Sequence, residues 1–193
     1  MRLSILDKGH TLGSKLIFAM IGLFSGQRVV DAVKLVMYRP EFYGGPMKKV
    51  VHEAMRGSSS WSVGDRELMA AFVSKMNQCE FCIKAHAAVA ERAYGEDSKV
   101  SAVLVNLETV PISEALRATL RMLGKLAREH TVSADDMRAV LAAGVSREQI
   151  EDALAVSLGF ETTNRLANAF EFFVPGPAAF EAGAKFLLGR GYR

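Results

Sequence analysis

The stretch RELMAAFVSKMNQCEFCIKAH, residues 66–86, contains both cysteines of the chain. Cys79 and Cys82 are three residues apart, and His86 follows four residues after the second cysteine. On a helix that begins near Cys79 these positions are i, i+3 and i+7, so both thiols and the imidazole project from one face. The spacing therefore predicts three reactive side chains together at the start of a helix.

This spacing favours thiol chemistry. A free thiol is mostly protonated at neutral pH, and a helix N-terminus or a nearby histidine lowers its pKa or takes its proton. His86 is one turn from Cys82, which makes Cys82 the better-activated sulfur on spacing alone. Cys79, at the helix start, is better placed to exchange with another molecule. A CxxC pair at this position is typical of redox sites, because a sulfenic acid on one sulfur is captured by the other as a disulfide.

The residues around this stretch predict an all-helical protein. Apolar residues recur at helical spacing, and no segment has the two-residue alternation of a strand. Pro and Gly mark a loop at 38–46, and a polar loop follows at 56–65. Ser133 with Asp136, and Ser146 with Gln149, are typical of capping boxes. We expect helices near 47–55, after a cap at Asp65, from Cys79 to Gly95, and over 111–130, 133–144 and 146–170; the tail, 174–193, is expected to hold one more short helix that lies on a partner chain.

The first 45 residues contain an apolar run, LIFAMIGLF at 16–24, preceded by basic residues as in a signal peptide. Nine residues are too few to span a bilayer. Asp7 and His10 interrupt the basic region, and helical apolar spacing continues after the run. We therefore expect a buried first helix.

Composition limits the partners. Half of the residues are hydrophobic, and the net charge is only +3, with 24 basic residues scattered among 21 acidic ones. A globular fold is expected, and no basic stripe of the kind that binds nucleic acid is present. A disulfide between two cysteines only three residues apart would stabilise the fold little, because it closes a very short loop. We expect a cytoplasmic protein that binds neither nucleic acid nor membrane.

Glu67, twelve residues before Cys79, makes the pattern more specific. A glutamate, then CxxC, then a histidine four residues later resembles the active-site signature of the AhpD-like branch of the carboxymuconolactone decarboxylase superfamily. A looser likeness extends over 143–170, including Asn164 and Arg165. The resemblance implies an all-α AhpD-like bundle that forms homo-oligomers, trimers or multiples of them. We expect one domain with an N-terminal helical extension at 1–45, an AhpD-like core at 47–170 and a tail at 171–193.

The resemblance also implies a peroxidase activity. In this family the glutamate and histidine, here Glu67 and His86, form a proton relay that deprotonates the cysteine nearer the histidine. Cys82 would then attack a hydroperoxide, and Cys79 would resolve the sulfenic acid. A dithiol, lipoyl or thioredoxin-type reductant would regenerate the pair, and no metal, haem, flavin or other cofactor is implied.

Two features bear on how this relay would work. On one straight helix Glu67 would lie about 120° around from Cys79, so the relay requires a break, which we place at residues 77–78. The best-known members carry a further histidine where this chain has Phe81, and its loss is expected to weaken the activation of Cys79. Glu80, beside it, is expected to raise the pKa of the Cys79 thiol.

Other interpretations of the same residues stay open. The cysteines could be simple packing residues, or Cys79, Cys82, His86 and Glu67 could bind zinc, although the second ligand pair usual in structural zinc sites is missing. A lyase or decarboxylase of the same superfamily is a further possibility, but such members generally lack CxxC. A non-enzymatic redox sensor whose disulfide switches an association is another. Asn164 and Arg165 are expected to be structural.

Overall fold

The computed structural model describes residues 1–95 and 97–192, apart from the side chains of Asp97 and Ser98. Over these residues the chain is helical without any strand, so the predicted all-α class is confirmed. The described elements are α1 (Ile5–Lys8), α2 (Leu12–Ser25), α3 (Asp31–Tyr38), a π-helical turn (Pro40–Gly44), α4 (Gly45–Arg56), α5 (Val63–Met76), α6 (Glu80–Tyr94), α7 (Asp97–Val105), α8 (Glu114–Glu129), α9 (Ala134–Ala142), α10 (Arg147–Ala169) and α11 (Pro177–Arg190).

Helix α5 lies at the centre of the molecule. It packs against α4, α6, α7, α8 and α10, and its side chains are buried on all sides, as in Leu68, Met69 and Val73. A helix surrounded in this way needs apolar residues around its whole circumference rather than along one stripe. Glu67 lies within this run, so the fold carries a carboxylate into the core.

The start of α5 differs from the prediction. Ser62, not Asp65, is the N-cap: its hydroxyl accepts the Asp65 N–H at 3.0 Å, and the Asp65 carboxylate accepts the Ser62 N–H at 3.1 Å. The two residues form a capping box, in which the acidic residue is the third residue of the helix. The expected cap at Asp65 is therefore wrong by three positions. The capping boxes predicted at the starts of α9 and α10 are present.

Helix α2 is not buried, which contradicts the expected buried first helix. No residue of α2 is buried, and Leu12, Leu23 and Phe24 are among its most exposed side chains. The helix forms because its residues are good helix formers between a Thr11 cap and a left-handed Gly26. Burial, however, needs a surface to pack on, and the described part of this chain supplies none that covers α2.

Helix length also bears on the membrane. Among the described residues, no helix combines the length and the apolar character that crossing a membrane requires.

The tail contains the predicted helix, and this helix folds onto its own chain. Helix α11 packs against α6 and buries Phe180, whose ring lies 5.9 Å from that of Phe81. The segment before α11 is tied to the N-terminal extension, because the buried carboxylate of Asp31 accepts the N–H of Phe173 at 2.8 Å. The tail is therefore held by both the core and the extension.

Candidate active site

The turn between α5 and α6 organises the site. Helix α5 ends at Met76, Gln78 adopts a left-handed conformation with φ of +53°, and Cys79 is the N-cap of α6. The predicted break at residues 77–78 and the predicted helix start at the cysteines are both confirmed. A side chain other than glycine, asparagine or aspartate is uncommon at positive φ, so the surrounding structure holds Gln78 there. The turn lets α5 and α6 pack side by side.

This packing brings Glu67 and His86 into contact. The Nδ1 of His86 donates a hydrogen bond to Glu67 Oε2 at 2.8 Å, and both side chains are buried. Because a carboxylate only accepts, the bond assigns a proton to Nδ1; in the neutral imidazole Nε2 then keeps its lone pair. The ring of Phe160 packs edge-on against the imidazole, with centroids 4.3 Å apart. The arrangement is that of a histidine oriented to accept a proton at Nε2.

Two further donors hold Glu67, and sequence reasoning missed both. Arg56 Nη2 donates to Oε1 at 2.7 Å, and the Tyr192 hydroxyl lies 2.9 Å from Oε1 and 3.1 Å from Oε2. Arg56 ends α4 and Tyr192 follows α11, so both reach Glu67 through tertiary structure and no sequence spacing connects them to it. In the sequence, Arg56 precedes Gly57 and Tyr192 follows Gly191, and neither pair matches a motif that would mark a functional residue.

The pKa of each acid in this cluster follows from its surroundings. Burial opposes ionisation of Glu67, but the hydrogen bond and charge of His86 and the charge of Arg56 outweigh it, and the pKa lies below the ordinary value. Burial first, and then the Glu67 charge, raise the pKa of Tyr192 well above its ordinary value. Glu67 is therefore an acceptor and Tyr192 a donor throughout the neutral range.

The two thiols are buried, free and interdependent. A hydrogen bond from the Cys82 thiol lowers the pKa of Cys79 against the effect of burial, and the backbone N–H of Cys82 lowers it further. The pKa of Cys82 is raised well above its ordinary value, because its proton is held by Cys79 and its site is buried. The pKa of Cys79 is therefore the lower of the two, and the negative charge is favoured on Cys79 when the pair ionises. This order is the reverse of the one that the spacing predicted.

The expected effect of Glu80 on Cys79 is also wrong. Glu80 points to solvent and pairs with Lys84 at 2.6 Å, while the pKa of Cys79 is lowered. Cys79 is the N-cap of α6, and the partial positive charge of this helix N-terminus favours a thiolate there.

A cavity of about 210 Å³ opens beside Cys79, between the start of α6 and the end of α10. Its walls are partly apolar, with Phe81 and Phe172, and partly polar, with Gln78 and Asn168. Phe81, in the position of the additional family histidine, packs edge-on against Phe172 with ring centroids 5.6 Å apart. Cys79 lines this cavity, and Cys82 is not among its lining residues.

The other predicted residues have structural contacts. Asn164 is fully buried, and its Oδ1 accepts the Ser74 hydroxyl at 3.0 Å, joining α10 to α5. The Arg165 side chain is exposed and pairs with Glu161 at 3.3 Å. Within residues 1–95 and 97–192, no group of three or more His, Cys, Asp or Glu side chains is arranged to hold a metal ion, so the zinc interpretation lacks a ligand cluster.

Comparison with known proteins supports the resemblance noted in the sequence. Residues 47–125 match the model of the carboxymuconolactone decarboxylase family. This segment runs from α4 through α7 into α8, and it includes Glu67, both cysteines and His86. No curated protein matches the chain. The family resemblance is thus confirmed over the segment that carries the candidate site.

Solved structures match nearly the whole chain. An uncharacterised peroxidase-related protein from Silicibacter sp. TM1040 is 23% identical, with a TM-score of 0.74, over 88% of this chain and 87% of that one. A second, described as an alkylhydroperoxidase AhpD core from Ralstonia eutropha JMP134, is 22% identical, with a TM-score of 0.73, over 92% of each chain. The debrominase Bmp8 is 15% identical, with a TM-score of 0.68, over 90% of this chain and 92% of that one. The fold is therefore the AhpD-like fold.

Proposed function

We propose that this protein is a thiol-dependent peroxidase that reduces hydroperoxides through Cys79 and Cys82. The observation that carries the proposal is that α6 has the thiol pair at its N-terminus and His86 one turn after Cys82, with His86 hydrogen-bonded to the buried Glu67 carboxylate. Thiolate, base and orienting carboxylate are the groups that an activated thiol requires. The family match over 47–125 supports the same chemistry.

In the first step the Cys79 thiolate attacks the terminal oxygen of a hydroperoxide in the adjacent cavity. The O–O bond breaks, Cys79 becomes a sulfenic acid, and the leaving alkoxide takes a proton from water and departs as the alcohol. The lower pKa of Cys79 and its position on the cavity favour this sulfur, in place of Cys82, as the nucleophile.

In the second step Cys82 resolves the sulfenic acid. His86 Nε2 takes the Cys82 proton, and Glu67 stabilises the imidazolium that forms. The Cys82 thiolate attacks the Cys79 sulfur, and the displaced hydroxide takes the proton from His86 and leaves as water. The product is a Cys79–Cys82 disulfide, which an external dithiol, of lipoyl or thioredoxin type, reduces to two thiols while becoming a disulfide itself.

The test exploits the fact that the chain has two cysteines. Hydroperoxide consumption is followed by stopped flow with a dithiol donor, and the oxidised protein is analysed by mass spectrometry after alkylation. We expect turnover, a single Cys79–Cys82 bridge, and loss of turnover in both Cys79→Ser and Cys82→Ser. Sulfenic acid should accumulate on Cys79 in the Cys82→Ser variant; accumulation only on Cys82 in the Cys79→Ser variant would reverse the two roles.

Three other results would overturn the proposal. Oxidation in a single turnover that no dithiol donor reverses would favour a redox sensor. A lyase or decarboxylase activity that survives in both cysteine variants, without hydroperoxide turnover, would favour the lyase or decarboxylase branch of the superfamily. Because the fold neighbour Bmp8 is a debrominase, and a cysteine variant of it was solved with 2,3,4-tribromopyrrole, that compound is tested in parallel. Its debromination in the absence of peroxide turnover would replace the peroxidase activity by a dehalogenase activity.

We also propose that the protein acts as a homo-oligomer, a trimer or a multiple of one, in the cytoplasm. The exposed apolar side chains of α2, Leu16 and Leu23 among them, support self-association, because a helix that is apolar on all sides is ordinarily covered. The proposed chemistry also needs a compartment in which the dithiol is kept reduced.

A further inference from the structure

Tyr192 is the donor to Glu67 that lies outside the segment matched by the family. Its hydroxyl is within hydrogen-bond distance of both carboxylate oxygens and lies 3.3 Å from His86 Nδ1. The ring lies nearly parallel to the imidazole, with an interplanar angle of 20° and centroids 6.3 Å apart. The hydroxyl thus touches both members of the Glu67–His86 pair.

The other contacts of Glu67 leave one motion free. Arg56 binds only Oε1 and His86 only Oε2, so each restrains one oxygen. A carboxylate held at Oε1 alone can still rotate Oε2 away from the imidazole. The Tyr192 hydroxyl, which bridges the two oxygens, opposes that rotation.

The backbone before Tyr192 has a conformation that only glycine adopts readily. Gly191 has φ of +66° and ψ of −152°, and a Cβ there would lie 2.7 Å from the His52 ring. The turn at Gly191 lets the Tyr192 N–H donate to His52 Nδ1 at 3.2 Å, and Arg56 lies over the phenol ring at 5.1 Å. Backbone and side chain of Tyr192 are therefore both fixed by α4.

We propose that Tyr192 is a positioning residue of the relay: its hydroxyl holds the Glu67 carboxylate against His86 Nδ1 and so keeps the Nε2 lone pair free for the Cys82 proton. The inference rests on the proposed function for its consequence, which is a faster second step. It predicts that Tyr192 acts on the resolution of the sulfenic acid and not on its formation.

The direct test reads the tautomer of neutral His86 by ¹⁵N NMR, which needs no peroxide. In the wild type we expect the Nδ1–H form; in Tyr192→Phe the fraction of the Nε2–H form should rise about fivefold, the amount expected for one hydrogen bond. Gly191→Ala, which keeps the hydroxyl but displaces it, should have the same effect. The His86→Gln spectrum identifies the signal among the four histidines of the chain.

Tyr94→Phe is the matched control, because Tyr94 donates to the Asp65 carboxylate at 2.6 Å in the α5 capping box. It removes the same kind of bond and should leave the His86 tautomer unchanged. An Nε2–H tautomer in the wild type, or an identical His86 spectrum in folded Tyr192→Phe, would overturn the inference. If Tyr192→Phe fails to fold, Gly191→Ala, which keeps the phenol, supplies the comparison with the wild type.

The kinetic test separates the two steps with a sulfenic acid trap. In Tyr192→Phe we expect sulfenic acid to form at the wild-type rate and the disulfide to form about fivefold more slowly. Equal slowing of both steps would contradict a positioning role. If no variant or wild type turns over peroxide, the proposed function fails while the NMR result still tests Tyr192.

Discussion

The thiol of Cys82 lowers the pKa of Cys79 by hydrogen bonding to it, so the N-cap position of α6 is occupied by the more acidic of two paired thiols. The two thiols share a hydrogen bond, and each changes the ionisation of the other. Removing either one therefore gives opposite effects on the thiol that remains.

The first prediction follows from this sharing. In Cys82→Ala the pKa of Cys79 should rise, because the thiol donor is lost. In Cys79→Ala the pKa of Cys82 should fall toward its ordinary value, because the neighbouring negative charge that opposes its ionisation is gone. Ultraviolet titration of the thiolate in each single-cysteine protein measures both. If the pKa of the remaining thiol shifted in the same direction in both variants, the hydrogen bond between the two thiols would be contradicted.

The second prediction concerns the buried ion pair of Glu67 and Arg56. Glu67→Gln leaves Arg56 without its charge partner in a largely buried site, which typically costs about 3 kcal/mol in the free energy of unfolding. Urea denaturation measures the loss. The double variant Glu67→Gln with Arg56→Met should recover part of it, since the unpaired charge is also removed. If the double variant were less stable by the sum of the two single losses, Arg56 would not be acting through this pair.

The third prediction is a pH dependence of stability. The pKa of Glu67 is lowered in the folded state from an ordinary value of 4.5, so below that value the unfolded chain binds the proton more readily than the folded one. The stabilisation by Glu67 is present above pH 4.5 and is lost as the pH falls through the folded pKa. Asp136, whose pKa is lowered to about 2, contributes in the same direction.

Urea unfolding at a series of acidic pH values tests this dependence. The slope of stability against pH should be smaller in Glu67→Gln than in the wild type. Glu80→Gln, which changes an exposed carboxylate, is the matched control. An unchanged slope in Glu67→Gln would mean that Glu67 does not titrate differently in the two states.

The fourth prediction concerns α2. Replacing Leu16 and Leu23 by glutamate should weaken self-association, because charges on the exposed apolar helix oppose its burial against another copy. Light scattering coupled to size-exclusion chromatography measures the molar mass. Lys15→Gln, on the same helix, is the control. A mass that stays unchanged in the double glutamate variant would exclude α2 from the interface.

Local features of this fold were predictable and tertiary ones were not. The break at residues 77–78 and the capping boxes of α9 and α10 depend on neighbouring residues, so the sequence contains their cause. The α5 cap was misplaced because Ser62 and Asp65 are both capping residues, and only the hydrogen bonds show that they act together.

The missing parts of the site depend on long-range packing. Arg56 and Tyr192 lie 11 and 125 residues from Glu67, and no periodicity relates them to it. The spacing predicted Cys82 as the more acidic thiol, because His86 is one turn away. It does not reveal that the Cys82 thiol donates a hydrogen bond to Cys79, which raises the pKa of Cys82. The exposure of α2 could not be read from its composition, which suits a buried helix equally well.

The bond between Asp31 and Phe173 has a practical meaning for anyone shortening this chain. The matched segment, 47–125, contains neither residue. Asp31 nevertheless binds the backbone of the segment that leads into α11 and onward to Tyr192. A fragment trimmed to that segment would keep both thiols and the imidazole while discarding the phenol. We expect that removing the extension alone would also loosen Tyr192, because the Phe173 N–H would lose the Asp31 carboxylate that accepts it.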